Sequence, residues 1–124
     1  MDIEKFLLKY NEEIRYADCG NGYEIAFPFK FCNDDRISSV FISEDETGLF
    51  TITDNGNTMK YFDNLSVDPQ EYADKIKKIC KAFNLEFENG MFKGVLGEYE
   101  SNQTFVQLTN FLIGISHIAT VHRF

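Results

Sequence analysis

Asp54 ends an apolar, β-branched run in the stretch Leu49-Phe-Thr-Ile-Thr-Asp-Asn-Gly-Asn57. The end of a strand is a common place for a working carboxylate. There Asp54 could hold a metal or activate water, with Glu86 and Glu88 as companions, and the chain would be a metal-assisted hydrolase or nuclease. A nuclease of that kind also wants a lysine two residues after an acid, to stabilise charge developing on the phosphate. No lysine in the chain has Asp or Glu two positions before it. The competing role is structural: Asp54 or Asn57 caps the helix that follows, while Gly56 takes a positive φ. The sequence favours that role and assigns no catalytic residue.

The other reactive side chains are sparse. His117 and His122 are five apart, so they do not share a helix face well enough to ligate zinc together. Cys80 falls on an apolar helical stripe and reads as an inert core thiol. Cys19 and Cys32 have no histidine near them in sequence to activate them. Neither Gly-x-x-x-x-Gly-Lys-Ser/Thr nor Gly-x-Gly-x-x-Gly occurs, so loops of those types supply no nucleotide site. The sequence thus calls for no cofactor and no metal.

Acids are abundant, 20 against 12 bases, for a net charge of −8. Direct nucleic-acid binding is disfavoured, because phosphates need a basic footprint. Glu44, Asp45 and Glu46 fall together in the loop Ser43 to Gly48; Asp34 and Asp35, then Glu98 and Glu100, lie in other turns. Their spacing does not match an EF-hand loop. The expected partner is a protein with a basic surface, such as a groove that normally holds nucleic acid. Glu44, Asp45, Glu46, Glu98 and Glu100 are the expected contacts, with Phe111 and Ile118 from the last helix.

The elements that must position these residues follow from periodicity. Ile3, Phe6, Leu7, Tyr10 and Ile14 predict a helix from Ile3 to about Arg15, capped by Asp2. Tyr23, Ile25, Phe27, Phe29 and Phe31 alternate as one face of a strand, which Pro28 makes an edge or bends. A second strand is expected from Ile37 to Ser43 and a third from Leu49 to Thr53. A short amphipathic segment runs from Asn57 through Leu65. Asp68-Pro69-Gln70-Glu71 then opens a helix whose buried stripe is Tyr72, Ile76, Ile79, Cys80 and Phe83.

Asn89-Gly90 predicts a two-residue hairpin turn that sets Phe87 opposite Phe92 and Glu86 opposite Lys93. Ser101 opens a last helix to about His122, with Phe105, Leu108, Leu112, Ile115 and Ala119 as core stripe. Phe111, Ile113, Ile118 and Val121 carry apolar character round it, so it needs a second neighbour, inside the fold or in a partner chain. The expected architecture is one α+β domain over residues 1–124: a five-stranded antiparallel sheet with helices packed against it, in the order α-β-β-β-α-β-β-α.

The stretches "YEIAFPF", "GLFTITDNGNTMKYF" and "ICKAFNLEFENGMFKG", followed by a Phe/Leu/Ile-rich helix, resemble a bacterial and phage family catalogued as domain of unknown function 1828. Thr53, Asp54, Gly56 and Gly90 carry its signature, and the likeness runs from about Tyr23 to Val121. It brings no established activity. Its members often sit in prophages and mobile elements, which implies a role in phage–host conflict. The element order and acidity also look like type III secretion chaperones.

The leading expectation is therefore a non-catalytic, acidic protein-binding module, an inhibitor of a bacterial defence system of the anti-CRISPR or anti-restriction type. Its partner would be a host defence nuclease. The alternatives are a chaperone-like homodimer seamed by the last helix, and the hydrolase around Asp54. The three cysteines, the charged N-terminus and the polar interruptions of the longest apolar run predict a cytoplasmic protein with no membrane span.

Overall fold

Asp2 opens the first helix by accepting the amides of Glu4 and Lys5 at 3.1 and 3.2 Å. The computed structural model describes residues 1–28, 39–98 and 103–123. Helix α1 spans Ile3–Glu12 and gives way to strand β1, Arg15–Asp18. Strands β2 (Tyr23–Ala26), β3 (Val40–Glu44) and β4 (Leu49–Thr53) follow, then helix α2 (Asn57–Asn64). A 3-10 turn, Pro69–Tyr72, leads into α3 (Ala73–Phe83); the hairpin β5 (Glu86–Glu88) and β6 (Met91–Glu98) precedes α4 (Thr104–Ala119).

The sheet is antiparallel throughout, in the order β1-β2-β3-β4-β6-β5. Among the described residues it is an α+β fold, but with six strands rather than five, and with two α-helices between β4 and β5 rather than one. The unexpected strand is β1. Its four residues are all exposed and show no apolar alternation, so nothing in their periodicity marks them. They pair because the Cys19-Gly20-Asn21-Gly22 turn folds them back, Cys19 N–H donating to the Gly22 carbonyl at 2.9 Å. The expected first helix therefore stops at Glu12, and Ile14 is no longer part of it.

Strand β2 ends at Ala26, just before the bend at Pro28. Phe29, Phe31 and the start expected at Ile37 lie outside the described residues, as do Cys32, Asp34, Asp35, Glu100 and Ser101. Asp68 caps the 3-10 turn, accepting Gln70 N–H at 3.0 Å, rather than α3 itself. The hairpin register is the expected one: Phe87 opposite Phe92 and Glu86 opposite Lys93.

One face of the sheet is covered and the other is open. Val40 and Ile52, with Phe92 and Leu96, meet Phe62 of α2 and Phe111, Leu112, Ile115 and Ile118 of α4 in a single core. Helices α2 and α4 lie on β6, and α3 packs on α4. That second layer takes up most of the apolar character of α4, from Phe111 to Ala119, while Phe105, Val106 and Ile113 stay exposed. Gly114 lets the α4–α3 crossing close up. A Cβ there would sit 2.9 Å from Leu85 Cδ1 and 3.0 Å from Phe83 Cβ. Among the described residues, no helix is long and apolar enough to cross a membrane.

Candidate functional site

Asp54 leaves β4 pointing to the core side and is 2% exposed. Its Oδ1 accepts the amides of Gly56 at 3.0 Å and Phe92 at 2.9 Å; its Oδ2 accepts Thr58 N–H at 3.1 Å. The Asp54 amide itself donates to the Phe92 carbonyl at 3.1 Å. One carboxylate thus closes the loop after β4, fills an open donor in the first turn of α2 and pins β6 alongside. Gly56 is the N-cap, with φ of 83°. Asn57 does not cap; its Nδ2 donates to the Ser39 carbonyl at 2.9 Å.

Glu86 and Glu88 are not companions of Asp54. Lys93 stands opposite both Glu86 and Thr53, so those three side chains share the open face. Asp54 follows Thr53 and turns to the other face. With three amides on its two oxygens and only 2% of the residue exposed, Asp54 presents no oxygen to a substrate at the surface. Among the described residues, no three His, Cys, Asp or Glu side chains converge to hold a metal ion. His117 lies against Phe83, ring centroids 5.5 Å apart, and His122 meets Phe62 edge-on at 6.1 Å. Cys19 is exposed. Cys80 is half-buried, and burial pushes its thiol up from the ordinary value.

The acids behave differently. Glu44 pairs with Phe50 and Leu49 with Glu98, so the β3–β4 tip and the end of β6 meet at one end of the sheet. Glu44, Asp45, Glu46 and Glu98 are gathered there, and no Lys or Arg occurs in the tip. Asp45 builds the tip: its Oδ1 accepts Thr47 Oγ1–H at 2.7 Å, Thr47 N–H at 2.8 Å and Leu49 N–H at 3.0 Å. The Thr47 hydroxyl, then the Leu49 amide, hold its carboxyl below the usual carboxylate value.

Beside this end, the open face carries a groove of about 800 Å³. Phe41, Ser43, Thr51, Thr53, Val95 and Lys93 form part of its lining, and Lys93 Nζ lies 3.8 Å from a Glu88 carboxylate oxygen. The alternation of Val40 and Ile42 with Phe41 and Ser43, and of Ile52 with Thr51 and Thr53, was the signal that could have found this second face.

Two expected contact residues are placed elsewhere. Phe111 is 1% exposed and Ile118 is 0% exposed, packed in the core against β6 and α2, and neither can meet a partner at the surface. Phe105, expected in the core, is instead 69% exposed, one turn before α4 reaches the sheet's core. A seam through the last helix would have only Phe105, Val106 and Ile113 to offer. Comparison with protein-family models, with curated proteins and with solved structures gives no match.

Proposed function

We propose that the chain is a non-catalytic module that binds a basic protein surface with the acidic end of its sheet and the adjoining open face. The observation that carries this is the gathering of Glu44, Asp45, Glu46 and Glu98 at the end of the sheet next to an open-face groove with both apolar and hydroxyl lining. A basic partner gains long-range steering from the acids and short-range contact from Phe41 and Val95. The net charge of −8 adds to the steering and disfavours nucleic acid itself as ligand.

The partner class that fits is a nucleic-acid-handling protein, whose basic groove the acidic end occupies in place of phosphates. The reading that fits is an inhibitor of a bacterial defence nuclease; the sequence resemblance to a family whose members often sit in prophages and mobile elements points the same way, without a family-model match.

The test is expression in bacteria that carry a CRISPR or restriction system, followed by phage challenge. The wild-type chain raises the plaque count; the triple reversal Glu44→Lys, Glu46→Lys and Glu98→Lys, still folded by circular dichroism, does not. Binding to the captured nuclease weakens as salt rises. A wild-type chain that protects no phage, or protection indifferent to the reversal, overturns the reading.

A further inference from the structure

Among the described residues, 1–23 are the least covered: of these, only Ile14 and Gly22 are even half-buried. Helix α1 has no buried residue, and its stripe lies open, Ile3 at 53%, Phe6 at 54%, Leu7 at 56% and Tyr10 at 41% exposure. A helix of ten residues has little stability of its own in water, where isolated helices below about 12–15 residues are marginal. Strand β1 beside it is an edge of the sheet.

The backbone of β1 shows what completes it. The Cys19 amide points at β2, where it donates to Gly22. By the two-residue alternation of an antiparallel ladder, Ala17 and Arg15 also direct their backbone groups at β2, opposite Glu24 and Ala26. Tyr16 and Asp18 therefore direct theirs outward, away from the sheet. These two residues flank Ala17 symmetrically. We infer that a second copy of this chain adds its own β1 here, antiparallel, about a two-fold axis normal to the sheet and midway between the two Ala17 residues.

In that register Tyr16 exchanges N–H···O=C bonds with the partner's Asp18, and Asp18 with the partner's Tyr16. Ala17 meets the partner's Ala17 at the close, non-hydrogen-bonded position, where the Cα atoms approach to about 4.5 Å and a small side chain fits. The two sheets become one. The unit from α1 to the β1–β2 turn has about the 20–30 residues that each side of a standard interface uses, and α1, directly before β1 in the chain, leaves its apolar stripe exposed.

The opposite edge is guarded against the same event. Strand β5 has three residues, and antiparallel self-pairing would set Glu86 against the partner's Glu88. Strand β1 is also short and carries Arg15 and Asp18, but it has no proline or bulge, and in this register neither charge meets its own kind. The β1–β2 turn adjoins the groove, a Cβ on Gly22 lying 2.9 Å from Phe41 Cζ and 3.0 Å from Ser43 Cβ, but Tyr16, Ala17 and Asp18 do not line it, so the inference stands whether or not that site binds a nuclease.

The experiment measures mass by light scattering and sedimentation near 50 µM. The wild-type chain is expected at twice its 14.4 kDa. Ala17→Arg places two like charges across the axis and is expected to weaken the dimer at least about tenfold, with the circular dichroism of the wild type. Ala17→Cys in a Cys19→Ser background is expected to cross-link into a disulfide dimer on mild oxidation, whereas Val95→Cys in that background does not. If Ala17→Arg fails to fold, the cross-link decides. A monomeric wild type, or a dimer that neither weakens with Ala17→Arg nor cross-links through Ala17→Cys, overturns the inference.

Discussion

The Asp54 carboxylate accepts the amide of Phe92, 38 residues further along the chain, at 2.9 Å inside the core. This bond ties the strand end that begins the helical half to the hairpin that returns to the sheet. It also fixes what Asp54 does: the residue holds three backbone amides, and none of its oxygens faces the groove.

Removing that carboxylate leaves buried donors without partners. Asp54→Ala should cost about 3–5 kcal/mol, since each hydrogen bond to a charged group contributes about 1.5–3 kcal/mol and unsatisfied buried groups add to the loss. Asp54→Asn keeps one oxygen but turns an NH2 toward an amide donor, and should cost about 1–3 kcal/mol. Urea melts followed by circular dichroism read both. An Asp54→Asn variant with wild-type stability would mean that the three bonds are not what holds this corner.

Phe111 and Phe105 lie six residues apart on α4 and should respond oppositely to truncation. Phe111 is buried against β6, in van der Waals range of where a Cβ on Gly94 would sit, so Phe111→Ala should lose about 3–5 kcal/mol. Phe105 is exposed, and Phe105→Ala should stay within about 0.5 kcal/mol of wild type. Thermal melts compare the two. Equal losses would contradict the orientation of α4.

Where a local signal and a tertiary constraint agree, the sequence is legible. The Asn89-Gly90 hairpin and the Asp2 cap are both found as expected, because turn and cap chemistry are written within a few residues. The capping role of the Asp54 corner was legible too, though not the amide of Phe92, which arrives from a distant strand. Strand β1 was not legible, since its pairing depends on a neighbour rather than on its own pattern. The rotation of α4 was misjudged for a related reason: a helix apolar on most sides gives its periodicity no single face, and only the position of β6 decides. The candidate site was half legible. The acids stand out in the sequence, but their meeting with Glu98 depends on β6 lying beside β4.

The cysteines should separate by reactivity. Burial raises the Cys80 thiol, so less of it is thiolate at a given pH, and its half-burial slows access further. Cys19 is exposed. Iodoacetamide at pH 8, with peptides mapped by mass spectrometry over time, should label Cys19 well before Cys80. Because the folded state holds the Cys80 proton more tightly than the unfolded chain does, its ionisation lowers stability as pH rises above the unfolded thiol value. Labelling of Cys80 at the rate of Cys19 would place its side chain at the surface.

Asp45 gives the acid-side counterpart. The Thr47 hydroxyl and the Leu49 amide stabilise its charged form and lower its pKa, so the unfolded chain binds this proton more readily than the folded one. The stabilisation is therefore present above the unfolded carboxylate value and is lost as pH falls through the folded one. Thr47→Ala removes the largest cause but keeps the backbone amides of Leu49, Thr47 and Gly48, so the Asp45 midpoint should rise toward the ordinary value without reaching it. Carboxyl chemical shifts followed by NMR between about pH 2 and 6 measure it, a window that brackets ordinary carboxylates. A midpoint that does not move in Thr47→Ala would show that the amides alone organise the acidic tip. That outcome would also leave the tip's shape, and with it the presentation of Glu44 and Glu46, independent of the Thr47 hydroxyl.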